Sequence, residues 1–172
     1  MKITTKTGDG GETGLFGGRR VRKDADFICL VGELDELQAV VGWCGVEARG
    51  DLRKILDRIV DDIYRMMSVV GFEFKCPGNI QPIDESDVKF LEGEIEARQE
   101  VVENLNKFIR PGTTEMVARL HIARTVCRRV ERGLVEVMGN GELKIAAENI
   151  FKYLNRLSDL LFILAYERET AG

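Results

Sequence analysis

Two stretches of the 172-residue chain carry side chains fit for chemistry. The first is RLHIARTVCRRVERG at 119–133, in which Arg124, Arg128 and Arg132 recur every fourth residue. At about 100° per residue, that spacing stacks three guanidinium groups on successive turns of one helix face, with His121 and Glu131 beside them. Like charges four residues apart disfavour an isolated helix, so opposing carboxylates or a polyanionic ligand must compensate. The second stretch is TKTGDGGETGLFGGRR at 5–20, where six of sixteen residues are glycine. Glycine costs about 1 kcal/mol relative to alanine inside a helix, but it suits turns and close backbone approach to a ligand. Exposed N–H groups, threonine hydroxyls, a lysine and two arginines are together what a phosphate-rich ligand requires.

These side chains need a scaffold, and the pattern after residue 24 is helical almost throughout. A first helix is predicted from about Ala25 to Ala48, with Gly50 ending it and Asp51 capping the next. The second runs from about Leu52 to Val70, with Leu52, Ile55, Leu56, Ile59, Ile63, Met66, Met67 and Val70 at the 3.6-residue period of one buried face. GFEFKCPGNIQP breaks it, and Asp84 caps a third helix that continues to about Leu105. PGTT at 111–114 opens a fourth, which ends near Met138 at GNG, and a fifth occupies roughly 142–168. On the fourth helix Met116, Leu120, Ala123, Cys127, Val130 and Leu134 form the core stripe beside the arginines. The fifth sets Lys152, Asn155, Arg156 and Asp159 beside Leu154, Leu157, Leu161 and Leu164. A mid-helix asparagine has poor propensity and calls for a partner, either a structural backbone group or a base or ribose of a ligand. The first helix offers Asp35 as a carboxylate for the arginine stripe, and spacing does not say which arginine it meets or from which subunit. No strand pattern stands out. The prediction is a single all-α domain over 1–172: an N-terminal arm at 1–24 and a five-helix up-and-down bundle at 25–168.

Composition narrows the function. A net charge of -4 and a pI near 5.2 argue against a general nucleic-acid binder. No apolar run approaches the roughly 20 residues that span a bilayer, and MKITTKTG lacks the apolar centre of a signal peptide, so a cytoplasmic protein is expected. Cys29, Cys44, Cys76 and Cys127 are scattered without a CxxC pair, which predicts mostly buried, reduced thiols and no zinc site. His121 is the only histidine; it excludes a His-built metal site and reads as a hydrogen-bonded structural residue. Trp43, Met66 and Met67 read as core, and Cys127 as an inert packing residue. No GxSxG elbow and no GxxxxGK[ST] loop is present.

Four segments, TKTGDGGETGLFGGRRVRKD, GELDELQAVVG, FIRPGTTEMVARLHIARTVCRRVER and YLNRLSDLLFILA, resemble the cobalamin adenosyltransferases of the PduO type in order and spacing. Residues 51–105 resemble that family only in helical character. The resemblance implies a ferritin-like five-helix bundle that forms a homotrimer with an active site at each subunit interface. It implies a reaction in which cob(I)alamin attacks the 5′ carbon of ATP, giving adenosylcobalamin and triphosphate with the help of Mg2+. The nucleophile is then cobalt, which fits a chain without a Ser-His or Cys-His pair.

Carried over residue by residue, the resemblance implies that Thr5, Lys6, Thr7 and Gly8 wrap the nucleotide, with Thr13 and Lys23 at the phosphates. Arg128 becomes the main catalytic residue, Arg129, Glu131 and Arg132 complete the nucleotide-binding segment, and Asn155 contacts the nucleotide from the last helix. Arg124 is implied to pair with Asp35 across the subunit boundary, and Phe108 to sit under the corrin ring in place of the lower axial ligand. Mg2+ needs no protein ligands in this scheme. Transient contact with a corrinoid reductase or an adenosylcobalamin-dependent mutase is allowed by it, and nucleic acid or membrane partners are not expected. The chain departs from the family at Gly10, Gly14, Glu33, Thr113 and Gly133. Two rival classes remain on these residues: a carrier that holds ATP and cobalamin without turnover, and a kinase, which the missing P-loop disfavours.

Overall fold

A computed structural model describes residues 4, 6–15, 18–75, 78–103, 110–139 and 142–170. The expectations for Thr5, Cys76 and Phe108, and the end of the third helix near Leu105, fall outside these residues. In chain order the elements are β1 (Glu12–Gly14), β2 (Arg20–Arg22), α1 (Asp26–Glu47), α2 (Gly50–Gly71), α3 (Glu85–Glu96), α4 (Gln99–Glu103), α5 (Glu115–Met138) and α6 (Glu142–Thr170).

The long helices form where their apolar periods lie. Leu52, Ile55, Leu56, Ile59, Ile63, Met66 and Val70 of α2 are all buried, as are Leu120, Ala123, Cys127, Val130 and Leu134 of α5. Leu154, Leu157, Leu161 and Leu164 of α6 complete the same core, with Met67 and Met116 packed at its edge. α1 packs on α2 and α5, and α6 packs on α5 and α3. The α1–α5 pair is antiparallel: Gly133 lies against Glu33, Arg129 against Glu36, and Arg119 against Glu47. α2 is joined to α3 and α6 by a polar cluster in which Asp62 and Asp87, both almost fully buried, meet Arg58, Arg65 and Tyr153.

Helix starts are chemically marked. Asp84 and Asp87 form a reciprocal capping box at α3, where Asp84 Oδ1 accepts from the Ser86 and Asp87 amides and Asp87 Oδ2 accepts from the Asp84 amide. At α5 the Thr114 hydroxyl accepts from Val117 N at 3.2 Å. Thr114→Ala removes that cap, for which about 1 kcal/mol is expected. The melting temperature should then fall by roughly 2–4 °C; an unchanged thermal unfolding curve would show that the cap does not hold the helix start.

Four expectations are corrected. Asp51 does not cap the second helix and Gly50 does not end the first: α1 closes at Ala48, and α2 begins at Gly50 after Arg49, with no side-chain cap. The predicted third helix is divided: α3 ends at Glu96, a turn at Ala97 and Arg98 follows, and α4 resumes at Gln99. The N-terminal arm contains an antiparallel hairpin, with Thr13 opposite Val21, although no strand pattern was expected. Trp43 is not core: it is 45% exposed, and its ring face is covered by the Arg119 guanidinium 4.7 Å away. Cys44 and Cys127 are buried and free, whereas Cys29 is exposed. Burial pushes the Cys44 thiol up to about 11 and Cys127 well above the ordinary thiol range, which keeps both unreactive.

Candidate active site

The glycine-rich arm is a folded unit. Asp9 N donates to Lys6 O and Gly11 N to Gly8 O, giving two consecutive turns before β1. Gly11 has φ +81°, a conformation that glycine adopts without a Cβ penalty. The turns bring the two ends of the predicted phosphate arm together: a Cβ on Gly8 would stand 3.2 Å from Lys23 Nζ, and Lys23 N donates to Gly11 O at 2.9 Å. Arg20 Nη2 donates to Thr7 O at 2.6 Å, and Arg19 ties the hairpin to Glu73 at the end of α2. Lys6, Thr7, Gly8, Thr13 and Lys23 therefore belong to one small structure whose exposed backbone and ammonium group stand close together. No hydrogen bond from Lys6, Gly8, Thr13 or Lys23 reaches α5 among the described residues.

The arm joins the bundle at the end of α5. The first turns of α1, at Asp26, Cys29, Leu30 and Glu33, face Gly133, Glu136 and Val137 across a shallow cleft. Arg128 and Arg132 lie one to two turns earlier on α5 and are exposed, and Arg132 Nη1 donates to the Arg128 carbonyl at 2.9 Å. Three neighbours in sequence diverge in space. Arg129 turns to α1 and pairs with Glu36, Glu131 turns to α6 and accepts from Asn155 Nδ2 at 3.2 Å, and Arg128 faces outward. The segment 128–131 thus holds one arginine paired across helices, one without an ion pair among the described residues and an acid engaged by the predicted asparagine.

Asn155 is linked further than spacing indicated. Arg156 Nη1 donates to Asn155 Oδ1 at 2.7 Å, and Arg156 Nε to Glu92 Oε1 of α3 at 3.1 Å. Burial pushes the Asp159 carboxyl above its usual range; Arg156 opposes that shift, Glu131 adds to it and Arg128 opposes it. Asp159 therefore shares the electrostatic environment of Arg128, Glu131 and Arg156. Arg156 and Asp159 fall on the face that the sequence predicts, where spacing gives them no role, and no local pattern marks Glu36 or Glu92. Their signal is long-range pairing between helices, which no local period carries.

Asp35 is exposed on α1 and makes no ion pair among the described residues, and Arg124 has its Nε buried without a partner. The structure does not join them within one chain. His121 departs from expectation: it is 5% exposed, yet neither ring nitrogen has a hydrogen-bond partner among the described residues. Burial first, then the charge of Arg124, hold the imidazole below its usual pKa and keep it neutral, with Glu169 opposing. Glu33, one of the departures from the family pattern, occupies the room opened by another. Its Oε2 is buried without a partner and would stand 2.6 Å from a Cβ at Gly133.

Comparison with known proteins places the whole chain. The family described as cobalamin adenosyltransferase matches residues 3–167. The cobalamin adenosyltransferase of Cupriavidus metallidurans is 39% identical over 173 residues, covering 99% of this chain and 90% of its own. The corrinoid adenosyltransferase PduO of Salmonella typhimurium is 36% identical over 167 residues, 96% of this chain and 49% of its own, so the chain spans about half the length of that relative. Among solved structures, a variant PduO-type ATP:corrinoid adenosyltransferase from Lactobacillus reuteri, complexed with cobalamin and ATP, superposes with a TM-score of 0.85 at 28% identity, over 99% of this chain and 95% of its own. A second variant of that enzyme, complexed with ATP, gives 0.84 at 28% identity over 98% and 94%. A family match that runs over residues 3–167, from the glycine-rich arm to the last helix, shows that the chain belongs to the cobalamin adenosyltransferase family.

Proposed function

We propose that this protein transfers the 5′-deoxyadenosyl group of ATP to the cobalt of cob(I)alamin, yielding adenosylcobalamin and triphosphate. The observation that carries the reading is the near-complete superposition on an enzyme complexed with both cobalamin and ATP. In the reaction the cobalt(I) electron pair forms the Co–C5′ bond as the C5′–O bond breaks, and that bonding pair leaves with triphosphate. No protein nucleophile is required. The protein must align the 5′ carbon with cobalt, exclude water and meet the charge growing on the leaving group.

The residues divide that work. Thr5, Lys6, Thr7 and Gly8 wrap the nucleotide, with Thr13 and Lys23 at its phosphates; the close approach of Lys23 Nζ to Gly8 supports that role. Arg128, exposed and without a side-chain ion pair among the described residues, acts on the triphosphate, with Arg129, Glu131 and Arg132 completing the segment. Asn155 binds the nucleotide from α6, and Phe108 lies under the corrin ring. In a homotrimer Arg124 meets Asp35 of the partner subunit, a reading supported by the unpartnered Arg124 Nε and the exposed Asp35. Mg2+ arrives with the triphosphate. Among the described residues no group of three or more His, Cys, Asp or Glu side chains is placed to hold a metal ion. No helix among them is long and apolar enough to cross a membrane. The cytoplasm, where ATP is plentiful and thiols stay reduced, is the compartment that suits this reaction.

Mixing the purified protein with ATP, Mg2+ and chemically reduced cobalamin tests the proposal. Triphosphate release with the absorbance change of a new Co–C bond is the expected result. Release of ADP would assign a kinase, and binding of both substrates without turnover a carrier.

A further inference from the structure

Asn155 and Arg156 are consecutive on α6, yet their side chains are bonded to each other. Consecutive helix residues do not face one another, so the arginine has curled back to reach the carboxamide. Arg156 Nη1 donates to Asn155 Oδ1 at 2.7 Å, and Asn155 Nδ2 donates to Glu131 Oε1 at 3.2 Å. A guanidinium offers only donors and an ionised carboxylate only acceptors. The carboxamide is therefore oriented from both ends: the atom against Arg156 must be oxygen and the atom against Glu131 must be nitrogen. Arg156 is in turn anchored on α3, where Glu92 Oε1 accepts from its Nε at 3.1 Å.

Resting on the function proposed above, we infer that Arg156 is a positioning residue that fixes Asn155 as an N–H donor toward the nucleotide. Asn155 then recognises an acceptor atom, a ribose oxygen or an adenine ring nitrogen. The Arg156 bond is the shorter of the two holds and is charge-assisted. With Glu131 alone, the amide keeps a single pivot and spends part of its time turned away from the ligand. Glu92 extends the device to a third helix, so that α3, α5 and α6 together set one side-chain angle.

A double-mutant cycle tests this. The affinity for ATP is measured calorimetrically in the presence of Mg2+ and without cobalamin, for the parent, Arg156→Ala, Asn155→Ala and the double variant. Arg156→Ala should bind ATP about tenfold more weakly, the scale of one hydrogen bond. Its kcat at saturating ATP and its KM for cobalamin should stay near parental values. Because Arg156 acts through Asn155, the double variant should bind no worse than Asn155→Ala alone. Arg156→Lys, which still offers a charged donor to Oδ1, should recover most of the lost affinity. Unchanged affinity in Arg156→Ala, fully additive losses in the double variant, or an Arg156→Ala protein that does not fold would each overturn the inference. A parent protein that binds no ATP would instead overturn the proposed function, and this inference with it.

Discussion

Arg128→Ala is expected to lose turnover by a factor on the order of a hundred to a thousand while keeping its fold. The magnitude is that of removing one preorganised donor from a developing anion, about 3 kcal/mol of transition-state stabilisation. The fold should survive because Arg128 is exposed and its backbone carbonyl, which accepts from Arg132, is still present in the variant. Which kinetic constant falls is informative. A group that only anchors the ground-state triphosphate raises KM for ATP, whereas one that meets charge appearing as the C5′–O bond breaks lowers kcat. The second pattern is expected.

Arg128→Lys sharpens the measurement. Lysine restores a positive charge but not the planar fork that can contact two phosphate oxygens, so partial recovery is expected. The same kcat in Arg128→Ala and parent, measured at saturating ATP and cob(I)alamin, would remove Arg128 from the mechanism. Arg129→Ala provides contrast: that residue is paired with Glu36 of α1, and its loss should be felt in the α1–α5 contact as well as in nucleotide affinity.

What could be read from the chain and what could not separate along physical lines. The core stripes of α2, α5 and α6 were legible because burial of one face imposes a 3.6-residue period that survives in any window. The starts at Asp84 and within PGTT were legible because capping is local chemistry, whereas the Gly50–Asp51 pair misplaced the start of α2, which follows Arg49 without a side-chain cap. β1 and β2 are three residues each, too short for alternation to register, and they form through turns that put glycine where φ is positive. The break after Glu96 has no proline or glycine to announce it. Trp43 looked like core because an indole at a helical apolar position usually is; its face is instead capped by Arg119, a partner 76 residues away. Within the site, the stripe Arg124, Arg128 and Arg132 was visible, but spacing alone could not show that Arg129 would be consumed by Glu36 or that Asn155 would be clamped between two charges.

The acids least interpretable in sequence should matter most for stability. Asp62 and Asp87 appear as ordinary charges on helical segments, yet both are almost fully buried. Asp87 accepts from Arg65 Nη2 at 2.9 Å, Arg65 Nη1 at 3.0 Å, Arg58 Nη2 at 2.8 Å and the Asp84 amide at 3.0 Å, so one carboxylate joins α2 to α3 and completes the α3 cap. Removing one member of a buried charge cluster leaves the others desolvated and unpaired, which typically costs 3–5 kcal/mol. Arg58 is 43% exposed and Arg65 keeps Asp62, so screening and the remaining partner place Asp87→Ala near the lower end, about 3 kcal/mol. A melting temperature lower by roughly 6–12 °C should follow. The pH dependence has a definite sign. Burial alone would push the Asp87 carboxyl up, but the Arg65 hydrogen bond, the Asp84 amide and the Arg65 charge together hold it below its ordinary range. Its contribution is then complete above the unfolded-chain pKa of about 3.9 and is lost as pH falls through the lower folded value. The stability gap between parent and Asp87→Asn, a change of equal size that removes the charge and turns one acceptor oxygen into an NH2 donor, should be constant near neutrality and narrow in acid. A gap that persists unchanged at the acid limit, or none at neutral pH, would mean that the cluster holds α2 and α3 together by shape and not by charge.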